Sequence, residues 1–393
     1  MKKQSHHTLL LTLIVLLFTP VLHSMEKQPF PQNVRVGDLP EDYQRLGLNR
    51  DRVEIHEDGT NTRGADGTYE WWYFDAAMDD GSSLVLVFYT RSMMNPNSPL
   101  APFATLEWHA PDGTVRSERV NVPASGFSAS ENQCEVRIGN CGIRGDLKEY
   151  ELHFEKGDIK VDATLKSNAP SWRQDTGYRF YGNHDEHYAA WLCVVPEGDV
   201  TATVTVGDKT TRHTGSGYHD HNWGNHPLWK MQNHWYWGRA KVGPYVAITS
   251  NITTGKDYGF KKFTTFLLVK DGKIIADDPE RVAFAIQNPK IDEKTGISIP
   301  DDLTYEYAAD SQRYRIAYRR AETILAASML AALTDAQKQE AIAAGNKMAY
   351  FRFTGPATIE QFEKDQSFGS FTATSAVWEL MFPGIPDGQQ GVK

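Results

Sequence analysis

The chain has 393 residues, 40% of them apolar, and a formal net charge of -9. That length exceeds one ordinary hydrophobic core and predicts two domains. The negative balance and the lack of any long Lys/Arg block argue against a nucleic-acid partner, which needs a concentrated basic surface, and favour a small neutral or apolar ligand.

At the N-terminus, Lys2 and Lys3 precede a run from Leu9 to Phe18 that is apolar apart from Thr12 and is followed by Pro20. A basic head, about 10 mostly apolar residues and a turn residue match a secretory signal, and fall short of the ~20 residues that span a bilayer. Residues 1–24 are therefore expected to be a signal peptide and the mature protein to be exported, periplasmic or secreted, with no stable membrane span; an uncleaved anchor is the alternative. Residues 25–44, rich in Pro and polar groups, read as a lead-in strap.

Beyond that strap the pattern is short strands punctuated by turn chemistry. Ser83 to Thr90 is strand-like, Pro111-Asp112-Gly113 and Lys156-Gly157-Asp158 mark hairpins, and Val200 to Val206 alternates before Gly207-Asp208. Phe263 to Val269 and Lys273 to Ala276 flank a further turn at Lys270-Asp271-Gly272. Such spacing predicts an all-β protein built as sandwich or barrel domains. Cys134 and Cys141 are the natural pair for a disulfide in an exported chain, although spacing alone does not set the geometry, and Cys193 reads as a buried core thiol. The exception to the β pattern is Tyr318 to Asn346, where Ala and Leu dominate and Thr334-Asp335 can cap a second helix. It reads as a helical hairpin or bent helix packed on a barrel, with lid motion as the lesser alternative.

Two clusters carry candidate chemistry. In Tyr69-Glu70-Trp71-Trp72-Tyr73-Phe74-Asp75, strand alternation puts Glu70, Trp72 and Phe74 on one face and Trp71, Tyr73 and Asp75 on the other. A carboxyl desolvated among aromatic rings stays protonated closer to neutral pH, as a general acid requires. Glu70 is the candidate, while Asp75 reads as lying at a solvated strand end. The second cluster runs from Tyr218 through His219, Asp220, His221, Asn222 and Trp223 to His226, followed by Trp229, His234, Trp235 and Trp237. If extended, it projects His219, His221 and Trp223 to one side and Tyr218, Asp220 and Asn222 to the other. Four chemistries compete for it: a metal site helped by His184 and His187, a serine nucleophile at Ser216, acid catalysis on an alkene, and a structural polar network. No familiar zinc spacing is present and Gly215-Ser216-Gly217 is no nucleophile elbow. Adding water to a double bond needs a proton donor, a surface that stabilises a carbocation and a held water, and carboxyls, tryptophan faces and imidazoles supply these.

Glu70-Trp71-Trp72-Tyr73-Phe74-Asp75 and Gly217-Tyr218-His219-Asp220-His221-Asn222-Trp223-Gly224 together resemble the paired signatures of the carotenoid hydratase (hydroxyneurosporene synthase) family. That family is similar in turn to kievitone hydratase and to fungal lipocalin-like Diels-Alderases. The resemblance implies two tandem lipocalin-like β domains, here set at residues 45–225 and 226–385, and hydration of isoprenoid double bonds without a redox cofactor. It also implicates His221 and Trp223 as the matching His-x-Trp unit. The helical segment and the stretch after Trp237 depart from the pattern. The expectation is thus a cofactor-free hydratase with no metal, acting on an apolar isoprenoid or prenylated substrate. Asp220 donates the proton, His221 and His219 position water, and Glu70 is the alternative acid. Trp223, Trp72, Tyr218, Asn222, Trp235 and Trp237 line the substrate. The rivals are a cyclase or pericyclase working on a polyene and a carrier without turnover.

Overall fold

A computed structural model describes residues 31–386 apart from 310–311 and 364–365. The signal-peptide expectation for residues 1–24 lies outside the described residues. What is described is nearly all β, in two curled antiparallel sheets. The first contains 13 strands drawn from Val34 to Gly224, and the second contains 10 strands drawn from Gln232 to Phe382. The hairpins read from turn chemistry form where expected: Phe103–His109 pairs with Val115–Asn121, Glu149–Lys156 with Ile159–Ser167, and Lys262–Lys270 with Lys273–Ala276. Glycines at the positive-φ corners Gly113, Gly157 and Gly272 bear no Cβ to oppose the turn.

Each sheet encloses its own core. One is built on Trp72, Phe74, Leu86, Phe154 and Leu192, the other on Tyr305, Ile316, Phe353 and Trp378. A third cluster joins them, where Trp172, Cys193 and Tyr218 of the first sheet meet Trp237, Ile248 and Leu267 of the second. Strands at this junction are therefore buried on both faces, which is why Tyr69–Met78 is apolar or aromatic at almost every position and not only at alternate ones.

Two expectations are corrected. The Tyr318 to Asn346 segment is not a helical hairpin: Glu322–Ser328 is a strand paired with Ala349–Glu363, Met329–Ala332 is a 3-10 turn, and only Asp335–Ala343 is α-helical. Pairing with a strand already in the sheet satisfies the backbone of the first half and overrides its Ala/Leu propensity. Thr334 does cap the helix, accepting from the Gln337 amide while the Gln337 side chain accepts from the Thr334 amide. The Cys134–Cys141 bridge does not form, and all three cysteines are free and buried. The two lie on adjacent strands in register Cys134↔Gly145 and Ile138↔Cys141. A four-residue offset separates them by ~13 Å along the hairpin, far beyond what a disulfide bridges.

Candidate active site

The two motifs become neighbouring strands, with Trp72 opposite His221, Tyr73 opposite Asp220 and Asp75 opposite Tyr218. Alternation then divides the candidate residues between the two faces of one sheet.

The inner face carries Glu70, Trp72, His219, His221 and Trp223, none of which lines the cavity between the two sheets. Glu70, His219 and His221 are 0% exposed. His221 Nε2 lies 3.0 Å from Glu70 Oε1, and its Nδ1 lies 3.3 Å from Asp58 Oδ1. His219 Nδ1 donates to the Tyr73 carbonyl at 2.8 Å, leaving Nε2 facing Asp58 Oδ2 at 3.2 Å. Glu70 Oε2 accepts from the hydroxyls of Thr60 and Thr62, both at 2.7 Å, and Oε1 from the Asn61 amide at 2.6 Å. Glu70 is thus held from several sides and faces His221, away from the cavity between the sheets. Burial works against a charged His221, but hydrogen bonds to Asp58 and Glu70 outweigh it and raise its pKa to about 9. Burial also works against a charged Asp58, but the His219 and His221 imidazoles hold it well below the usual carboxylate range. The Trp72 indole stacks on His221 with centroids 4.4 Å apart. This is a sealed ionic knot at the centre of the first core. Its Asp58, Cys134 and His219 are the one group among the described residues whose donor atoms, within 4.8 Å of one another, could share a metal ion. His184 and His187 are not in that group, and the His187 ring stacks on His226 instead.

The outer face looks onto a cavity of about 1030 Å³ between the two sheets. Trp71, Tyr73, Tyr89 and Trp191 come from the first sheet and Trp235 and Trp237 from the second, so its walls are largely aromatic. Asp220 and Asn222 project into it, and Tyr218 stands behind Asp220. Asp220 Oδ2 accepts from the Trp191 indole at 3.0 Å and from the Tyr218 hydroxyl at 2.9 Å, and Oδ1 accepts from Asn222 at 2.8 Å. Burial pushes the Asp220 pKa up to about 6, and the bonds from Trp191 and Tyr218 keep it from rising further.

Sequence reasoning missed the facing wall. Glu379 lies opposite Arg352 on one neighbouring strand and Trp237 on the other. Its carboxyl accepts from the Tyr350 hydroxyl at 2.7 Å and the Trp235 indole at 3.4 Å, and burial raises its pKa. Arg352 reaches back to Asp75 at 3.4 Å, and Asp75 also forms an ion pair with Arg239 and accepts from the Tyr73 hydroxyl at 2.9 Å. Asp75, read as a solvated strand end, is 2% exposed. The available signal was an acid inside an apolar run, Val377-Trp378-Glu379-Leu380-Met381, the same signal that singled out Glu70. A protonated carboxyl, a second carboxyl across the space and a tryptophan cage between them can protonate an apolar molecule and stabilise the cation formed.

The profile of a family described as Diels-Alderase-like matches residues 65–283. The chain is 24% identical over 280 residues to the quinolone epoxide rearrangement protein penF of Penicillium thymicola, covering 61% of this chain and 71% of that protein. To a hydroxyneurosporene dehydrogenase of Chlorobaculum tepidum it is 26% identical over 209 residues, 45% of this chain and 54% of that one. CghA, solved with Sch210972, superposes with a TM-score of 0.59 at 17% identity, covering 81% of this chain and 89% of that one. Kievitone hydratase from Nectria haematococca superposes with a TM-score of 0.52 at 11% identity, covering 90% and 98%. The resemblance drawn from the two motifs is borne out, and the superpositions show a shared lipocalin-like fold.

Proposed function

This chain belongs to the Diels-Alderase-like family, and from that premise we propose that it is an acid-catalysing enzyme that hydrates a carbon-carbon double bond of an apolar isoprenoid or prenylated substrate in the cavity between its sheets. The observation that carries the proposal is Asp220, a carboxyl raised to about 6 and presented to an aromatic cavity. Asp220 transfers its proton to one alkene carbon, leaving a carbocation on the other. The faces of Trp71, Trp191, Trp235 and Trp237 stabilise that cation by ~2 kcal/mol or more in a dry site. A water held by Asn222 and by Glu379 in its carboxylate form attacks the cation, and Glu379 takes the proton that the water loses. Glu379 then releases that proton to solvent and Asp220 takes one back, which restores both groups. Hydration changes no net oxidation state, so the reaction as written calls for no redox cofactor. Glu70, His219 and His221 contribute by holding the strand that carries Asp220.

A second reading is favoured by the relative named for epoxide rearrangement: the same carboxyl would protonate an epoxide oxygen and start a rearrangement with no water added. Incubation of the protein with a panel of prenylated and polyene alkenes in heavy-oxygen water distinguishes the two. Hydration predicts a product carrying labelled oxygen that disappears in Asp220→Asn. An isomeric product without label selects the rearrangement, and undiminished turnover in Asp220→Asn removes Asp220 from the chemistry.

A further inference from the structure

Arg179 lines the cavity but has no part in the chemistry above. It lies on the short strand Tyr178–Tyr181, opposite Ala189 on one side and Val36 on the other. Arg179 is half-buried, and the fully buried guanidiniums among the described residues are compensated. Arg173 pairs with Glu57, Arg239 and Arg352 with Asp75, and Arg91 donates to the carbonyls of Gly64, Pro96 and Ser98. Arg179 has no such partner: no carboxylate among the described residues forms an ion pair with it, its Nε is buried without a hydrogen-bond partner as in Arg91, Arg239 and Arg352, and the Tyr181 hydroxyl is the side-chain group within its reach. Its guanidinium carbon sits 4.9 Å from the centroid of the Phe263 ring, and Tyr181 is the one ionisable group that offsets the desolvation lowering its pKa. A cation held in apolar surroundings without a counter-charge costs folding free energy, and a ligand that brings the charge recovers it.

The position of Arg179 sets what that ligand looks like. Ala189 pairs with Arg179, and Cys193, four residues further along the same strand, pairs with Asp220. Arg179 and Asp220 therefore share a face of the sheet and stand ~13 Å apart along the strand direction. Trp71, Trp191 and Asn222 occupy the row between them. Gln232, which donates to the Tyr181 hydroxyl at 3.4 Å, lines the cavity as well. We propose that Arg179 binds a carboxylate at the end of the apolar substrate remote from the double bond that Asp220 protonates, so that the natural substrate is an apolar acid and not a plain hydrocarbon. A guanidinium edge matches a carboxylate with two parallel hydrogen bonds, and one fixed cation balances one negative charge. With the acid anchored there, the chain lies across the tryptophans and one particular double bond meets Asp220. This inference rests on reading the cavity as the site for an apolar substrate.

The test uses all-trans-retinoic acid and its methyl ester as matched polyene probes, with binding followed by quenching of tryptophan fluorescence. The expected result is at least tenfold tighter binding of the acid than of the ester. Arg179→Met should bring the acid down to the affinity of the ester while leaving the ester unchanged, Arg179→Lys should keep part of the preference, and Asp220→Asn should keep all of it. Equal binding of acid and ester by the unaltered protein, or an acid preference that survives Arg179→Met, overturns the inference and leaves the apolar cavity standing. Should neither probe bind the unaltered protein, the cavity reading and the inference fall together. Ester binding in each variant reports an intact cavity, and the acid-to-ester ratio of the unaltered protein decides the matter even if Arg179→Met does not fold.

Discussion

Asp220 and His221 are adjacent in the chain and face opposite sides of one sheet, and their protonation behaves accordingly. For Asp220 the buried neutral form is favoured, so a rate that needs its proton is full below about pH 6 and falls about tenfold per unit above it. Asp220→Asn is expected to lower turnover by ~10² to 10⁴ and to abolish that pH dependence, as a pH–rate profile on any substrate found would register. His221 is a cation bonded to the Glu70 carboxylate and paired with that of Asp58, and its contribution is to stability. Its pKa rises on folding from 6.5 to about 9, so the stabilisation is complete below the lower value and is lost as pH rises through the higher one. The melting temperature should thus fall between about pH 7 and pH 10. His221→Leu leaves Glu70 and Asp58 buried without their counter-charge, a loss of ~3–5 kcal/mol that urea unfolding would measure, and it should flatten this alkaline decline.

Among the elements, the hairpin that separates Cys134 from Cys141 shows how register overrides proximity in sequence. Thiol titration without reductant should count no reactive cysteine in the folded protein and three in denaturant; a count of one in denaturant would mean a bridge. The segment from Glu322 to Ala343 behaves differently from the strands around it. Its residues Leu325, Ala327 and Met329 line the cavity, and its helix is held by the bond from Gln337 to Asn95, the exposed pair Lys230–Glu340 and the packing of Leu333 and Ala341 with Met94 and Trp229. Ala341 is the one buried residue of that helix, so the helix belongs to the low-stability end of the molecule. Thr334→Ala should cost ~1 kcal/mol locally, seen as faster amide exchange across residues 335–343 with little change in global unfolding.

Across the whole molecule, the two sheets each have a core and are locked together where Asp75 meets Arg239 and Arg352. Asp75→Ala leaves two guanidiniums unpaired at that junction, and the expected outcome is that a single denaturation transition separates into two, as intrinsic fluorescence against calorimetry would detect. Strand positions, hairpin corners and the resemblance were legible in the sequence, because period-two patterning and turn chemistry are local properties. Arg352 and Arg179 were not, since each reads as an ordinary residue in its own strand and gains meaning from partners far away in the chain, and Glu379 was marked only by its place in an apolar run. Alternation along Tyr69–Met78 and Lys209–Gly224 separates Glu70 and His221 from Tyr73 and Asp220 without saying which set is sealed in a core and which meets an open space. That assignment came from the docking of the second sheet against the face bearing Asp220, because a strand's own residues specify two sides but not what covers each of them.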